Sequence, residues 1–175
     1  MLKLISCFTL VLFTANSWAA DATELFKTID KRLSYMEDVA LYKALNQVAV
    51  EDTAREKIVI EKAAKSAEDV GLDSSSVVAF FTAQISAAKA IQYRYRADLL
   101  SAPTSDQPRD LKTVIRPALI TLGAKINNEI ADYLKDGGKF EEQDWNDFKT
   151  VVDGKYLSES DKKALFEALK QVRLN

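Results

Sequence analysis

The residues whose types and spacing could do chemistry are mostly cations. Arg32 and Lys43 lie eleven residues apart in a segment of helical periodicity. At about 100° and 1.5 Å per residue, eleven steps come to about three turns, 20° and 16 Å. Both long side chains therefore project from one face and can grip a small anion between them. Arg55 follows at the start of the next helical segment, flanked by Asp52 and Glu56. Free N–H groups and the helix dipole favour anions there too. Further on, Gln84, Ala88 and Gln92 form an i, i+4, i+8 row bordered by Phe81, Ile85 and Ile91. A glutamine on such an apolar-flanked face needs hydrogen-bond partners once buried. On spacing alone a second reading competes. Arg32 and Lys43 could be solvated and paired with Asp30 or Glu37, Arg55 could pair with Glu51, and the glutamines could sit at the core boundary.

What the chain lacks narrows the chemistry. Its 175 residues include no His and one Cys, Cys7. Ser-His-Asp and Cys-His catalysis, His- or Cys-ligated metal sites and disulfide frameworks are excluded. With 24 Lys and Arg against 26 Asp and Glu, the net charge is −2, which argues against a general affinity for nucleic acid. An enzyme made of these parts would bind a polyanion with Arg and Lys and use no nucleophile and no metal.

Residues 1–19 read as a secretory signal: Lys3, a short apolar run from Leu4 to Ala15, and Ser17-x-Ala19 before the cut. Cleavage is expected after Ala19. Removing 19 of 175 residues leaves 156, with no Cys and, without Lys3, a charge of −3. No later apolar run is long enough to span a bilayer, so the mature protein is expected to be soluble, without a membrane anchor, and periplasmic or secreted.

The elements that must position these residues read as an all-α protein, three long helices plus three shorter ones in a bundle. Apolar spacing predicts helices over about 22–48, from Asp52 as N-cap to about Val70, and over about 75–100. Gly71 is the expected C′ residue. Residues 101–109, SAPTSDQPR, read as a mobile linker tolerant of substitution. A further helix is expected over about 111–134, with Pro117 near its first turn or kinking it. Helices over about 141–152 and 158–172 complete the chain, the last opened by a Ser158-x-x-Asp161 capping box. Residues 20–175 are expected to form a single domain, with a core site segment over about 22–100 and a second helical half over about 110–175.

Several of these spacings coincide with a known pattern. Arg32-Leu33, Val39-Ala40-x-x-Lys43, Glu51-Asp52-x-x-Arg55-Glu56 and Phe80-Phe81-x-x-Gln84-Ile85-x-Ala87-x-Lys89-x-Ile91-Gln92 resemble the all-helical chorismate mutases. The signal peptide and the second half point to the exported, or gamma, subclass. The match covers about residues 26–96. Ile115-Arg116 and Asn127-Asn128-Glu129-Ile130 match more loosely.

The resemblance implies a helical bundle of the chorismate mutase type. It also implies rearrangement of chorismate to prephenate, a pericyclic shift without covalent intermediate or cofactor. By similarity, Arg32, Arg55 and Arg116 bind carboxylates. Lys43 contacts the breaking ether oxygen and a carboxylate, Gln92 donates to the same oxygen, and Glu56, helped by Asp52, accepts from the ring hydroxyl. Cytoplasmic relatives borrow one arginine from a partner chain, whereas the exported subclass takes it from its own second half. Arg116 is the candidate, with Lys112 and Lys125 as alternatives. Ala88 departs from the pattern, standing where relatives often carry Ser or Thr that bonds a carboxylate. A homodimer is implied as well. Lys43 is treated as a helix-surface residue, and turnover is expected to be nearly flat from about pH 5 to 9, no group named here titrating in that range. The reading from a different class is a non-catalytic periplasmic helical binding protein, with a cationic groove for an anionic ligand or partner helix.

Overall fold

The computed structural model describes residues 21–175. The expected signal sequence, its expected cleavage point and Cys7 lie outside the described residues. Among those described, the regular elements are helical: α1 (Thr23–Leu33), α2 (Met36–Leu45), α3 (Thr53–Asp69), α4 (Ser74–Ser101), α5 (Arg116–Lys135), α6 (Trp145–Val151) and α7 (Glu159–Leu169). No described helix is long and apolar enough to cross a membrane.

Local chemistry accounts for most boundaries. Asp52 caps α3, its Oδ1 accepting from the Arg55 N–H at 3.0 Å. Gly71, at φ +87°, ends it. The Gly71 N–H bonds the Glu68 carbonyl and the Leu72 N–H the Ala67 carbonyl, the paired closure that a left-handed residue permits. At α7 the Ser158 and Asp161 side chains exchange bonds with each other's backbone N–H.

Two expectations need correction. The first long helix is interrupted at Ser34-Tyr35. The Ser34 hydroxyl takes the Lys31 carbonyl at 2.8 Å, which a continuing helix would offer to the Tyr35 N–H; such back-bonding bends helices. The break lets α1 pack on α5 and α6 while α2 packs on α4. The helix expected from residue 111 is also not uniform. Leu111–Ile115 forms a π-turn, and α5 proper begins at Arg116. Pro117 has no N–H and its ring crowds the Thr113 carbonyl, so the chain upstream widens to i→i−5 bonds. The Arg116 N–H accordingly bonds the Leu111 carbonyl.

One continuous hydrophobic cluster runs through all seven helices. At one end Phe26 packs edge-on to Phe148 at 5.2 Å, and Phe148 meets Phe166 at 5.1 Å. α4 crosses the whole bundle. Its 28 residues span about 42 Å at 1.5 Å per residue. The linker is held at its far end, where Arg109 pairs with Asp38 and lies 4.3 Å over the Tyr35 ring. The expectation of a uniformly mobile linker is corrected by that anchor, which joins positions 71 residues apart.

Candidate active site

A cavity of about 200 Å³ opens between α2, α3, α4 and the start of α5. Its wall includes all eight residues singled out from the sequence: Arg32, Lys43, Asp52, Arg55, Glu56, Ala88, Gln92 and Arg116. The break after α1 does not separate Arg32 from Lys43; both reach this wall. Lys112 is exposed and off the wall, and Lys125 is engaged by Thr28 and Glu129 at 2.8 and 2.7 Å. Of the three candidates from the second half, Arg116 is the one that lines the cavity.

Two of the cations are not solvated. Arg32 is 5% and Lys43 9% exposed, so the helix-surface reading of Lys43 is corrected. Arg32, Lys43, Arg55 and Arg116 have no carboxylate within ion-pairing distance among the described residues. The competing pairings with Asp30, Glu37 and Glu51 are therefore not made. Lys43 Nζ instead donates to the Val50 carbonyl at 2.6 Å, and Arg32 Nη1 to Gln84 Oε1 at 3.0 Å. Burial pulls the Arg32 guanidinium down to about 10, still cationic at neutral pH. Burial also pushes the Lys43 ammonium below its usual range, with Arg116 adding to the effect and Asp52, Glu56 and Glu51 opposing it.

The two carboxylates on the wall are already engaged. Asp52 caps α3, and Glu56 accepts from Lys89 Nζ at 3.2 Å. Lys89 and Lys62 also line the cavity, and sequence reasoning gave neither a role. The place of Lys89 in the motif from Phe80 to Gln92 was the available signal. Six cations against two carboxylates make the cavity strongly positive in a chain of net charge −2. Gln92 Nε2 donates to the Ala88 carbonyl at 3.1 Å and sits 3.8 Å from Met36 Sδ. Apolar walls from Met36, Val39, Phe81 and Leu119 lower the local dielectric, which strengthens attraction for an anion.

A family model described as chorismate mutase type II matches residues 21–93. A secreted chorismate mutase from Yersinia pestis is 44% identical over 147 residues, 83% of this chain and 78% of that protein. The chain belongs to the chorismate mutase family. A monofunctional chorismate mutase from Enterobacter agglomerans is 35% identical, covering 92% of this chain and 88% of its own. The crystal structure of a secreted chorismate mutase from Yersinia pestis superposes with a TM-score of 0.81 at 40% identity, over 87% of this chain and 98% of that one. A chorismate mutase from Burkholderia thailandensis gives 0.68 at 25% identity, over 86% and 99%. The family match ends at residue 93, before Arg116; the longer matches extend into the second helical half.

Proposed function

We propose that this chain is an exported chorismate mutase that rearranges chorismate to prephenate. The observation that carries the reading is the convergence of four buried or half-buried cations without carboxylate partners, Arg32, Lys43, Arg55 and Arg116, on one cavity in a member of this family. Chorismate carries two carboxylates. Arg32, Arg55 and Arg116 bind them, the guanidinium fork matching a carboxylate's two oxygens. Held at both ends, the substrate keeps the compact conformer in which its reacting carbons meet. As the ether C–O bond breaks and the C–C bond forms, negative charge grows on the ether oxygen. Lys43 and Gln92 donate to that oxygen, Gln92 giving up the Ala88 carbonyl to do so, and stabilise the transition state more than the ground state. Glu56 keeps one oxygen on Lys89 and offers the other to the ring hydroxyl, with Asp52 beside it. Product and substrate are isomers, so no group is transferred to the protein.

Export is supported by the N-terminal pattern and by the secreted relative. The homodimer implied by the resemblance belongs to the same proposal, and sedimentation of the mature protein tests it. No observation favours the non-catalytic binding reading. The deciding experiment mixes purified mature protein with chorismate and follows its ultraviolet absorbance. Enzymatic decay into prephenate is expected; unchanged absorbance with folded protein overturns the proposal.

A further inference from the structure

Arg32 is held by a neutral amide in a place where a carboxylate would bind it more tightly. Its Nη1 donates to Gln84 Oε1 at 3.0 Å. Its Nε is buried with no partner among the described residues, and Gln84 Nε2 is likewise buried and unpartnered. Gln84 is fully buried on α4 and does not line the cavity, whereas Arg32 does. The Phe81 ring lies 5.5 Å from the guanidinium carbon and supplies no formal charge.

We infer that Gln84 is a positioning residue for Arg32, and that an amide stands there because it aims the guanidinium without neutralising it. The inference rests on the proposed role of Arg32 in binding a substrate carboxylate. A glutamate at position 84 places a charged acceptor on Nη1, which binds a guanidinium more tightly than an amide carbonyl does. It also removes the orphaned Nε2 donor, since a carboxylate has none. The ion pair stabilises the free protein and competes with the incoming carboxylate for the same cation. Gln84 therefore trades stability for an available charge, a common arrangement at binding sites.

The test compares Gln84→Glu and Gln84→Leu with the parent, as mature full-length proteins, by thermal melting and by steady-state kinetics on chorismate. Gln84→Glu should melt at or above the parent while its KM rises at least about tenfold, the loss of one hydrogen bond between charged groups. Its kcat should stay within about threefold, because Arg32 grips the carboxylate in ground and transition states alike. Gln84→Leu should lower the melting temperature and also raise KM, since Arg32 loses its guide. A merely space-filling Gln84 predicts otherwise: loss of folded enzyme lowers apparent kcat and leaves KM unmoved. The inference is overturned if Gln84→Glu melts below the parent or fails to fold, or if its KM stays near the parental value. A parent that folds but does not turn over chorismate sinks the chorismate mutase reading instead. The melting comparison then still decides whether a carboxylate at position 84 pairs with Arg32.

Discussion

In the double variant Arg32→Met/Gln84→Met, a buried cation and its amide partner become two apolar side chains of similar length. Burial pulls the Arg32 guanidinium well below its usual range, to about 10, a penalty on the charged form of about 3 kcal/mol at 1.36 kcal/mol for each tenfold change. No carboxylate offsets it. Against this gain, the variant gives up the hydrogen bond to Gln84 and the contact with Phe81, each worth about 1 kcal/mol. It also removes the orphaned Gln84 Nε2, recovering about 1 kcal/mol. The balance is a net stabilisation of about 2 kcal/mol, which raises the melting temperature by about 4–8 °C in a domain of this size. The single variant Arg32→Met strands the buried Gln84 carbonyl, costing about 1–3 kcal/mol, so its melting temperature should stay near the parent's. Circular dichroism melts at neutral pH check the order. Both variants should lose nearly all turnover, read by chorismate decay. A double variant that melts below the parent, or a single variant as stable as the double, refutes the burial argument.

Lys43→Met should lower kcat at least about 100-fold, as loss of one charged donor at a developing negative charge does, with a melting temperature within a few degrees of the parent's. In the parent, Lys43 must be protonated to donate, so activity is full below its pKa and is lost as pH rises through it. Burial places that limb below the usual lysine value of 10.5, and a kcat–pH profile flat up to that value counts against the role of Lys43. Gln92→Glu should work at acid pH and fail as pH rises past the introduced carboxyl's pKa, because an ionised carboxylate cannot donate; equal profiles for parent and variant refute the contact with the ether oxygen. Ala88→Ser should lower KM by up to about tenfold through one new hydrogen bond to a substrate carboxylate, and an unchanged KM shows that no carboxylate lies beside position 88. Arg109→Ala should release the linker from Asp38 and Tyr35 and speed limited proteolysis within residues 101–109, whereas Ser105→Ala should leave the rate unchanged.

The features legible in the sequence are those settled within about one helical turn. Asp52 reaches the Arg55 N–H three residues on, Ser158 and Asp161 cap one another, and Gly71 closes α3 through bonds to Glu68 and Ala67. A short polar side chain at a helix start, or a residue free to take positive φ at its end, has few alternative partners. The eight candidate site residues were legible for a related reason. Helical periodicity specifies which side chains share a face, and the spacings 32 to 43 and 84 to 92 survive even though Ser34 breaks the first helix, whereas Arg116 was reached through the family resemblance and not through a shared face.

Partnerships across the bundle were decided by tertiary structure. Arg32 meets Gln84 over 52 residues, Glu56 meets Lys89 over 33 and Arg109 meets Asp38 over 71. The burial of Lys43 was decided there too, as was the placement of Arg116, rather than Lys112 or Lys125, on the cavity wall. Periodicity gives the direction a side chain takes from its own helix axis. Whether a charge there stays hydrated depends on which other helices close over it, and that closure is set by the packing of the apolar faces into one core. The sequence by itself determined a set of cations and amides on shared helix faces. The fold left four of those cations without carboxylate partners and shut water from two of them, Arg32 and Lys43, and an unpaired charge in an apolar-walled cavity attracts an anion.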